Sequence, residues 1–227
     1  MNGIEIKRFA GKAPKRAFIF TGGKGFCPQK MTDIPEDGDL IIAADSGCDT
    51  LTEFSNAVKK TVPDIILGDM DSYSKENLEK FDSIFLPYPP EKDDTDTAIA
   101  VDVAKSFGCE EIIIAGGLGG RVDHTLANVF LLEDIEKSGA RGIITDGKNR
   151  AYLAKAENFF ENTKRKYLSL IPIDEEIFGV NMEGFKYPYS TQILARRRFV
   201  TVSNEIVASN AKITIAKGIC LIVESED

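Results

Sequence analysis

The feature that most constrains the fold is the spacing of short apolar segments along the chain. Up to about residue 147 these segments alternate with turns and helical patterns, and they lie at residues 16–21, 40–44, 65–67, 83–86, 111–115 and 142–145. Later segments are joined by turns alone, at residues 150–154, 166–173, 199–202, 211–215 and 219–223. Strands alternating with helices are typical of a parallel sheet, whereas strands in series are typical of a sandwich. We therefore predict an α/β protein, with a Rossmann-like domain over residues 1–147 and a small β-sandwich over residues 148–227.

An acidic turn follows the apolar segment at residues 65–67. Gly68 opens this turn, and Asp69 and Asp71 come next, one residue apart. Ligands of open α/β sheets lie beside the carboxyl ends of the strands, where both carboxylates can face one point. Two like charges held close repel each other unless a cation lies between them, and Mg²⁺ accepts carboxylate, water and phosphate oxygens. A helix cap or a solvated turn would use the same residue types, so this stretch alone leaves both interpretations open.

Further acidic positions extend this pattern. Asp45 directly follows the apolar segment 40–44, where it suits either a cap of the next helix or a contact to substrate or metal-bound water. A second group holds four acids within six residues, namely Glu91, Asp93, Asp94 and Asp96. One capping carboxylate is expected at a helix start, so the excess indicates cation or phosphate chemistry.

Two glycine-rich turns also follow predicted strands. The first contains Gly22 and Gly23 before Lys24, and main-chain amides in such a turn can face a phosphate group. The second has four glycines within residues 116–120 and then Arg121, directly before a predicted helix over residues 123–137. Glycine lets a ligand approach the main chain, a helix amino terminus attracts anions, and arginine is always charged. We interpret the second turn as a phosphate site, although its glycine spacing differs from the dinucleotide-binding fingerprint.

Composition and charge argue against several classes of function. The net charge is −8, whereas broad nucleic-acid binding normally requires a basic surface. No apolar run approaches the length of a membrane span, and the amino terminus lacks the apolar core of a signal peptide. The four cysteines lie far apart and His124 is the single histidine, so no zinc site is expected. We expect a cytoplasmic protein with no nucleic-acid or membrane partner.

The order of the acidic and glycine-rich segments resembles that of thiamine pyrophosphokinases. The segments that carry the resemblance are residues 44–47, 68–72, 92–96 and 116–124, and residues 184–187 and 203–205 are similar to the two segments that the family uses beside thiamine. The resemblance covers most of the chain from about residue 16. It implies transfer of diphosphate from ATP to the thiamine hydroxyl, with Mg²⁺, to give thiamine diphosphate and AMP. It also implies a homodimer joined through the β-sandwiches, with thiamine sites built between subunits.

The resemblance further implies roles for individual residues. Magnesium would be held by Asp69, Asp71 and Asp96, with Asp45 and Asp93 nearby on substrate or metal-bound water. Together with the first glycine turn, the predicted nucleotide contacts are Gly22, Gly23, Asp93, Gly117, Gly119, Gly120, Arg121 and Asp123. The thiamine ring would lie near Tyr187, Ser203 and Asn204. The predicted catalytic set is Asp45, Asp69, Asp71 and Asp96, with Asp71 or Asp96 expected to accept the hydroxyl proton.

The chain departs from the family at two points, and other functions stay open. It has no tryptophan, which some members place over the thiamine pyrimidine, and Tyr187 is the candidate replacement. Residues 196–198 are three arginines where the family has a glycine-bearing turn. The alternatives are diphosphate transfer to another hydroxymethyl heterocycle such as a pterin, a phosphatase with Asp69 and Asp71 as its nucleophile pair, and a non-catalytic sensor of thiamine or nucleotide. The complete set of acids favours catalysis over sensing.

Overall fold

The chain divides into two units, each with its own sheet architecture. The computed structural model describes residues 6–9, 12–68, 83–88, 94–161 and 165–227. Contacts between Cα atoms separate the chain into Met1–Gly147 and Lys148–Asp227. The sequence pattern of residues 74–81 predicts a further helix, and these residues lie outside the described part of the chain.

The first unit is built on a parallel sheet. Its described strands are β1 Arg16–Phe20, β2 Leu40–Ala44, β3 Ile65–Gly68, β4 Ile84–Pro87, β5 Glu111–Ala115 and β6 Arg141–Thr145. Their order across the sheet is β4-β3-β2-β1-β5-β6, and every neighbouring pair runs parallel. From β1, the chain first adds β2 to β4 on one side of the sheet and then adds β5 and β6 on the other side. The loops that follow β1 and β5 therefore lie next to each other at the carboxyl ends of these strands, where such sheets bind their ligands.

Helices cover this sheet and explain why its strands are apolar on both faces. The described helices are α1 Gly47–Ala57, α2 Asp96–Ser106 and α3 Val122–Lys137. Within β1, residues 17–20 are fully buried, as expected for a parallel strand with helices packed on its sheet. In α2, Ile99 and Val103 are buried, at the four-residue spacing typical of a helix face that packs on a sheet. The α/β class predicted from the sequence is confirmed.

The second unit is antiparallel. Its strands are β7 Arg150–Leu153, β8 Glu157–Phe160, β9 Tyr167–Pro172, β10 Glu176–Glu183, β11 Tyr189–Ala195, β12 Ala211–Thr214 and β13 Cys220–Ser225. One group has the order β7-β13-β9, and a separate four-stranded sheet has the order β11-β10-β12-β8.

The strand predicted at residues 199–202 is wrong, because this segment forms a turn. Thr201 explains the difference: its hydroxyl donates to the carbonyl of Leu170 at 2.6 Å, while its own carbonyl accepts from Leu170 N–H at 3.0 Å. Thr201 thus holds the segment to β9 through its side chain and its main chain, and the segment forms no ladder of strand hydrogen bonds there. The apolar residues Phe199 and Val200 that suggested a strand are 72% and 55% exposed.

The cysteines have no sign of a reactive role. All four are free thiols, and three of them are buried. Burial raises the pKa of the Cys109 and Cys220 thiols to about 12, so both remain protonated near neutral pH. Among the described residues, no helix is both long enough and apolar enough to cross a membrane.

Acidic residues at the amino ends of the parallel strands hold neighbouring segments together. Asp39, directly before β2, is 7% exposed and accepts hydrogen bonds from the Arg16 guanidinium at 3.1 and 2.5 Å and from Glu36 N–H at 2.8 Å. Asp64, directly before β3, accepts from Ile41 N–H at 2.8 Å. Removing a buried carboxylate that accepts several hydrogen bonds is strongly destabilising, because its donors lose their partner without regaining water.

We therefore expect Asp39→Ala to lower the free energy of unfolding by about 2–4 kcal/mol. Urea denaturation followed by circular dichroism measures this change. The matched control is Glu110→Ala, which removes an ion pair with Lys15 whose side chains are 70% and 73% exposed, and which should change stability by less than about 0.5 kcal/mol. Equal effects of the two substitutions would contradict the structural role of Asp39.

Candidate active site

A cavity of about 320 Å³ lies at the carboxyl ends of the parallel strands in the first unit. Its wall is formed by residues that follow β1, β2 and β5 and by the first residues of α2 and α3. The predicted glycines that line it are Gly22, Gly23, Gly117, Gly119 and Gly120. The structure therefore brings the two glycine-rich turns, almost a hundred residues apart in sequence, to one site.

The two glycine turns pack main chain against main chain. A Cβ atom at Gly23 would lie 2.0 Å from the carbonyl oxygen of Gly116, and one at Gly119 would lie 2.4 Å from the carbonyl oxygen of Lys24. Gly119 also has a φ of 87°, which disfavours other residues. Glycine is thus required at these positions for the turns to meet, and the result is a cavity wall that main-chain peptide groups line.

Asp45 enters the same cavity from the end of β2. Its φ is 49°, in the left-handed region, and its N–H donates to the carbonyl of Leu67 at 2.7 Å. The N-cap of α1 is Ser46, and no side chain makes a capping hydrogen bond there. The helix-cap interpretation of Asp45 is therefore not supported. Strained main-chain conformations often occur at functional sites, which favours a role for Asp45 in the cavity.

Asp96 reaches the cavity from the first position of α2. The N-cap of this helix is Thr95, whose hydroxyl accepts from Ala98 N–H at 3.2 Å. The next residue, Thr97, is buried, and its hydroxyl lies 3.1 Å from the hydroxyl of Thr21 at the end of β1. This contact fixes the start of α2 beside β1, so that Asp45 and Asp96 border one space.

Arg121 lines the cavity while pairing with Asp123. The guanidinium donates to the carboxylate at 3.1 and 2.5 Å, and both side chains are exposed. The hydrogen bond from Arg121 lowers the pKa of the Asp123 carboxyl, and the same bond raises the pKa of Arg121. Asp123 also accepts from His124 N–H at 3.0 Å, at the start of α3. Asp123 therefore orients the arginine and accepts from one free N–H of the first helical turn, whereas Arg121 itself faces the cavity.

Sequence reasoning missed several residues of this wall, among them Asn128 on α3. Its side chain is 6% exposed, and its amide nitrogen donates to the carbonyl of Gly117 at 2.9 Å. A signal was present, because Asn128 follows His124 by four residues and so shares its helix face. A polar side chain at a buried helix position is expected to have a hydrogen-bond partner.

Three predicted residues cannot be placed. Asp69, Asp71 and Asp93 lie outside the described residues. Within the described part of the chain, no group of three or more histidine, cysteine or acidic side chains is arranged to hold a metal ion. Two carboxylates of the predicted catalytic set, Asp45 and Asp96, do share the cavity.

The predicted thiamine residues lie together in the second unit. Asn204 is 2% exposed, and its side chain accepts from the N–H groups of Tyr187 and Glu205 at 3.0 Å each and donates to the carbonyl of Tyr187 at 2.8 Å. Its amide thus holds the main chain of Tyr187, a residue that is 60% exposed. Ser203 has a φ of 55°, and its N–H donates to the hydroxyl of Ser169 at 2.9 Å.

A larger cavity, of about 500 Å³, lies at the opposite edge of the sheet, beside the amino ends of β2 to β4. Several of its charged groups pair with protein: Arg8 binds Asp64, and the ammonium of Lys59 donates to the carbonyl of Pro35 at 2.9 Å. Ligands of open α/β sheets lie at the carboxyl ends of the strands. We therefore take the smaller cavity as the candidate active site.

Comparison with known proteins agrees with this arrangement. The family model of the thiamin pyrophosphokinase catalytic domain matches residues 32–144. The family model of the thiamin pyrophosphokinase vitamin B1 binding domain matches residues 157–220. Together the two matches cover most of the chain.

Individual relatives show the same similarity over nearly the whole length. The thiamine pyrophosphokinase of Bacillus subtilis is 29% identical over 214 residues, which cover 92% of this chain and 98% of the relative. Its crystal structure superposes with a TM-score of 0.81 at 27% identity, covering 93% of this chain and 99% of that chain. The thiamin pyrophosphokinase of Geobacillus thermodenitrificans gives a TM-score of 0.77 at 27% identity, with 93% and 98% covered. This chain belongs to the thiamin pyrophosphokinase family.

Proposed function

We propose that this protein transfers the terminal diphosphate of ATP to the hydroxyl of thiamine, giving thiamine diphosphate and AMP. The observation that carries the proposal is the cavity at the carboxyl ends of the parallel strands, where two glycine turns, two carboxylates and an arginine converge. Family membership supports the same reaction, since the matched domains are a catalytic domain and a vitamin B1 binding domain.

The two units have separate roles in this proposal. Residues 1–147 act as a Rossmann-like catalytic domain that binds nucleotide and metal, and residues 148–227 act as a β-sandwich that binds thiamine and forms the dimer. The parallel sheet with its cavity supports the first role. The antiparallel sheets and the match to a vitamin B1 binding domain support the second role.

The nucleotide phosphates bind against the two glycine turns. Main-chain N–H groups freed of side-chain crowding donate to phosphate oxygens, and the amino end of α3 adds a favourable dipole. Arg121 supplies a permanent positive charge at the rim, held in direction by Asp123. Lys24 lines the same cavity and adds a second positive charge.

The donor set of the cavity fits Mg²⁺. Asp45 and Asp96 bring carboxylate oxygens to one space, and a small hard cation prefers such oxygen ligands. Asp69, Asp71 and Asp96 would hold the ion, with Asp45 and Asp93 on substrate or metal-bound water. When bound, the ion neutralises charge on the phosphate oxygens. In its absence, the close carboxylates would repel the nucleotide.

The reaction is an in-line displacement at the β-phosphorus. The thiamine hydroxyl oxygen forms the new bond to the β-phosphorus, while the bond from that phosphorus to the oxygen bridging to AMP breaks and its electrons leave with AMP. Asp71 or Asp96 accepts the hydroxyl proton as the new bond forms. The remaining residues act by positioning, because phosphoryl transfer depends mainly on alignment and on charge stabilisation.

Thiamine binds beside Tyr187 and Ser203 of the second unit. The exposed Tyr187 ring offers an apolar face for a heterocycle in a chain without tryptophan, and Asn204 fixes the main chain behind it. Ser203, with its left-handed main chain, presents a hydroxyl next to this ring-bearing segment. Asn204 thus positions the site, whereas Tyr187 and Ser203 contact the substrate.

Replacement of Asp96 tests the reaction. We expect Asp96→Asn to lower kcat for AMP release by at least about 100-fold, because the cavity loses a metal-binding or proton-accepting carboxylate. The assay follows AMP formed from ATP in the presence of thiamine and Mg²⁺. The matched control is Asp94→Asn, two residues earlier on an exposed side chain outside the cavity, which should keep wild-type turnover.

The same assay separates the other functions. Wild-type turnover by Asp96→Asn would contradict the catalytic role of this residue. Release of inorganic phosphate through a phospho-aspartate would indicate the phosphatase instead. AMP release with a pterin alcohol but not with thiamine would change the acceptor, and binding of thiamine and an ATP analogue without AMP release would indicate a sensor.

A homodimer is proposed through the second unit. Phe178 on β10 lies opposite Ile193 on β11 in the antiparallel register, and the two side chains are 37% and 48% exposed. Directly opposed residues share one face of a sheet, so these two form an apolar contact surface. Such a surface is normally covered in an assembled protein.

We expect the double variant Phe178→Glu and Ile193→Glu to sediment as a monomer, because four carboxylates would meet in the interface of a symmetric dimer. Analytical ultracentrifugation measures the change, and thermal unfolding checks that the variant folds. Gln192→Glu, at the neighbouring position of β11, is the control and should remain dimeric. A monomeric wild type would refute the dimer, and a dimeric double variant would place the interface elsewhere.

A further inference from the structure

Asn128 lines the cavity, is deeply buried, and makes a side-chain hydrogen bond to the glycine turn of residues 116–120. It is 6% exposed on α3, in the second turn of that helix, and it lines the cavity. Its side chain makes a hydrogen bond from the amide nitrogen to the carbonyl oxygen of Gly117 at 2.9 Å. The acceptor is a main-chain carbonyl, so the donor must be the NH₂ group of the side chain.

The bonded peptide belongs to a segment with little conformational preference of its own. Gly116, Gly119 and Gly120 have φ values of 78°, 87° and 74°. Glycine has the largest conformational freedom of any residue, so a segment of this composition loses much entropy when it is ordered. A turn that must present its N–H groups to phosphate therefore needs a restraint from outside the turn.

The hydrogen bond from Asn128 provides such a restraint. In a planar trans peptide, the C=O of Gly117 and the N–H of Leu118 point in opposite directions. Fixing the carbonyl toward α3 therefore fixes the direction of the following N–H as well. Gly117 cannot shift inward, because even a Cβ atom there would lie 2.7 Å from Ile144 and 2.8 Å from Ile114.

We propose that Asn128 is a positioning residue for nucleotide binding, which holds the glycine turn of residues 116–120 in its phosphate-binding conformation through the hydrogen bond to Gly117. The proposal rests on the proposed function, because it assigns the nucleotide to this turn. It predicts a defect specific to ATP rather than to thiamine. It also predicts that the turn loosens even when no nucleotide is bound.

Two variants of Asn128 and one control test the proposal. Asn128→Leu keeps the number and branching of the side-chain heavy atoms and removes the donor. Asn128→Asp keeps the shape, but at neutral pH it places a carboxylate oxygen against the Gly117 carbonyl. The control is Leu132→Ala, one helical turn further along α3. Leu132 is fully buried, so this substitution removes apolar packing but leaves the hydrogen bond to the glycine turn in place.

Three measurements are made on the full chain: KM for ATP, KM for thiamine, and hydrogen–deuterium exchange of residues 116–120 without nucleotide. We expect Asn128→Leu to raise KM for ATP about tenfold with an unchanged KM for thiamine, and to accelerate exchange in the turn. Leu132→Ala should lower the melting temperature but leave both KM values and the exchange of the turn near wild type. For Asn128→Asp, the ATP defect should shrink as pH falls, because a protonated carboxyl can donate to Gly117 again.

An Asn128→Leu enzyme with wild-type KM for ATP would overturn the proposal, as would a defect shared equally by thiamine or by the Leu132→Ala control. A pH-independent defect in Asn128→Asp would also overturn it. If the wild type binds ATP but releases no AMP, the proposed function fails, and calorimetric titration of the same variants with ATP decides the role of Asn128. Equal ATP affinities in that titration would overturn the positioning role.

Discussion

The close contact between two main-chain turns is the constraint on which the first unit depends. β1 and β5 are neighbours in the sheet although more than ninety residues separate them, and Thr21 N–H still donates to Ala115 C=O at 2.9 Å just past their ends. Beyond that bond, only glycine allows the chains to stay in contact, because a Cβ atom at Gly23 would lie 2.0 Å from the carbonyl oxygen of Gly116. The cavity wall, and the positions of the basic residues around it, follow from this contact.

The acids of the first unit divide by the end of the strand at which they lie. Asp39 and Asp64 precede β2 and β3, are buried, and accept hydrogen bonds from arginine and main-chain donors. Asp45 and Asp96 lie at the opposite edge and border the cavity. The same residue type thus stabilises one edge of the sheet and borders the cavity at the other, where we propose that it contacts substrate and metal.

This division explains how much the sequence could predict. Strand direction follows from the alternation of strands and helices, so the carboxyl-end position of Asp45 was predictable. The meeting of the glycine turns was not, because it depends on β1 and β5 being neighbours in the sheet. The contact that selects Asn128 was not, because a lone polar residue in a helix identifies no partner. In the second unit, β10 and β11 were missed since Gly179 and several polar residues interrupt their apolar pattern, and the exposed pair Phe199 and Val200 mimicked a strand.

Backbone strain gives an indication of function that is independent of motif resemblance. Among the residues that the structure describes, two that are not glycine have φ in the left-handed region, and they are Asp45 and Ser203. Such conformations cost on the order of 1 kcal/mol each and persist where the surrounding contacts enforce them. Here those contacts are Leu67 C=O for Asp45 and the Ser169 hydroxyl for Ser203. Each unit therefore holds one strained polar residue, and in both cases it is a residue that the family resemblance had already assigned to substrate.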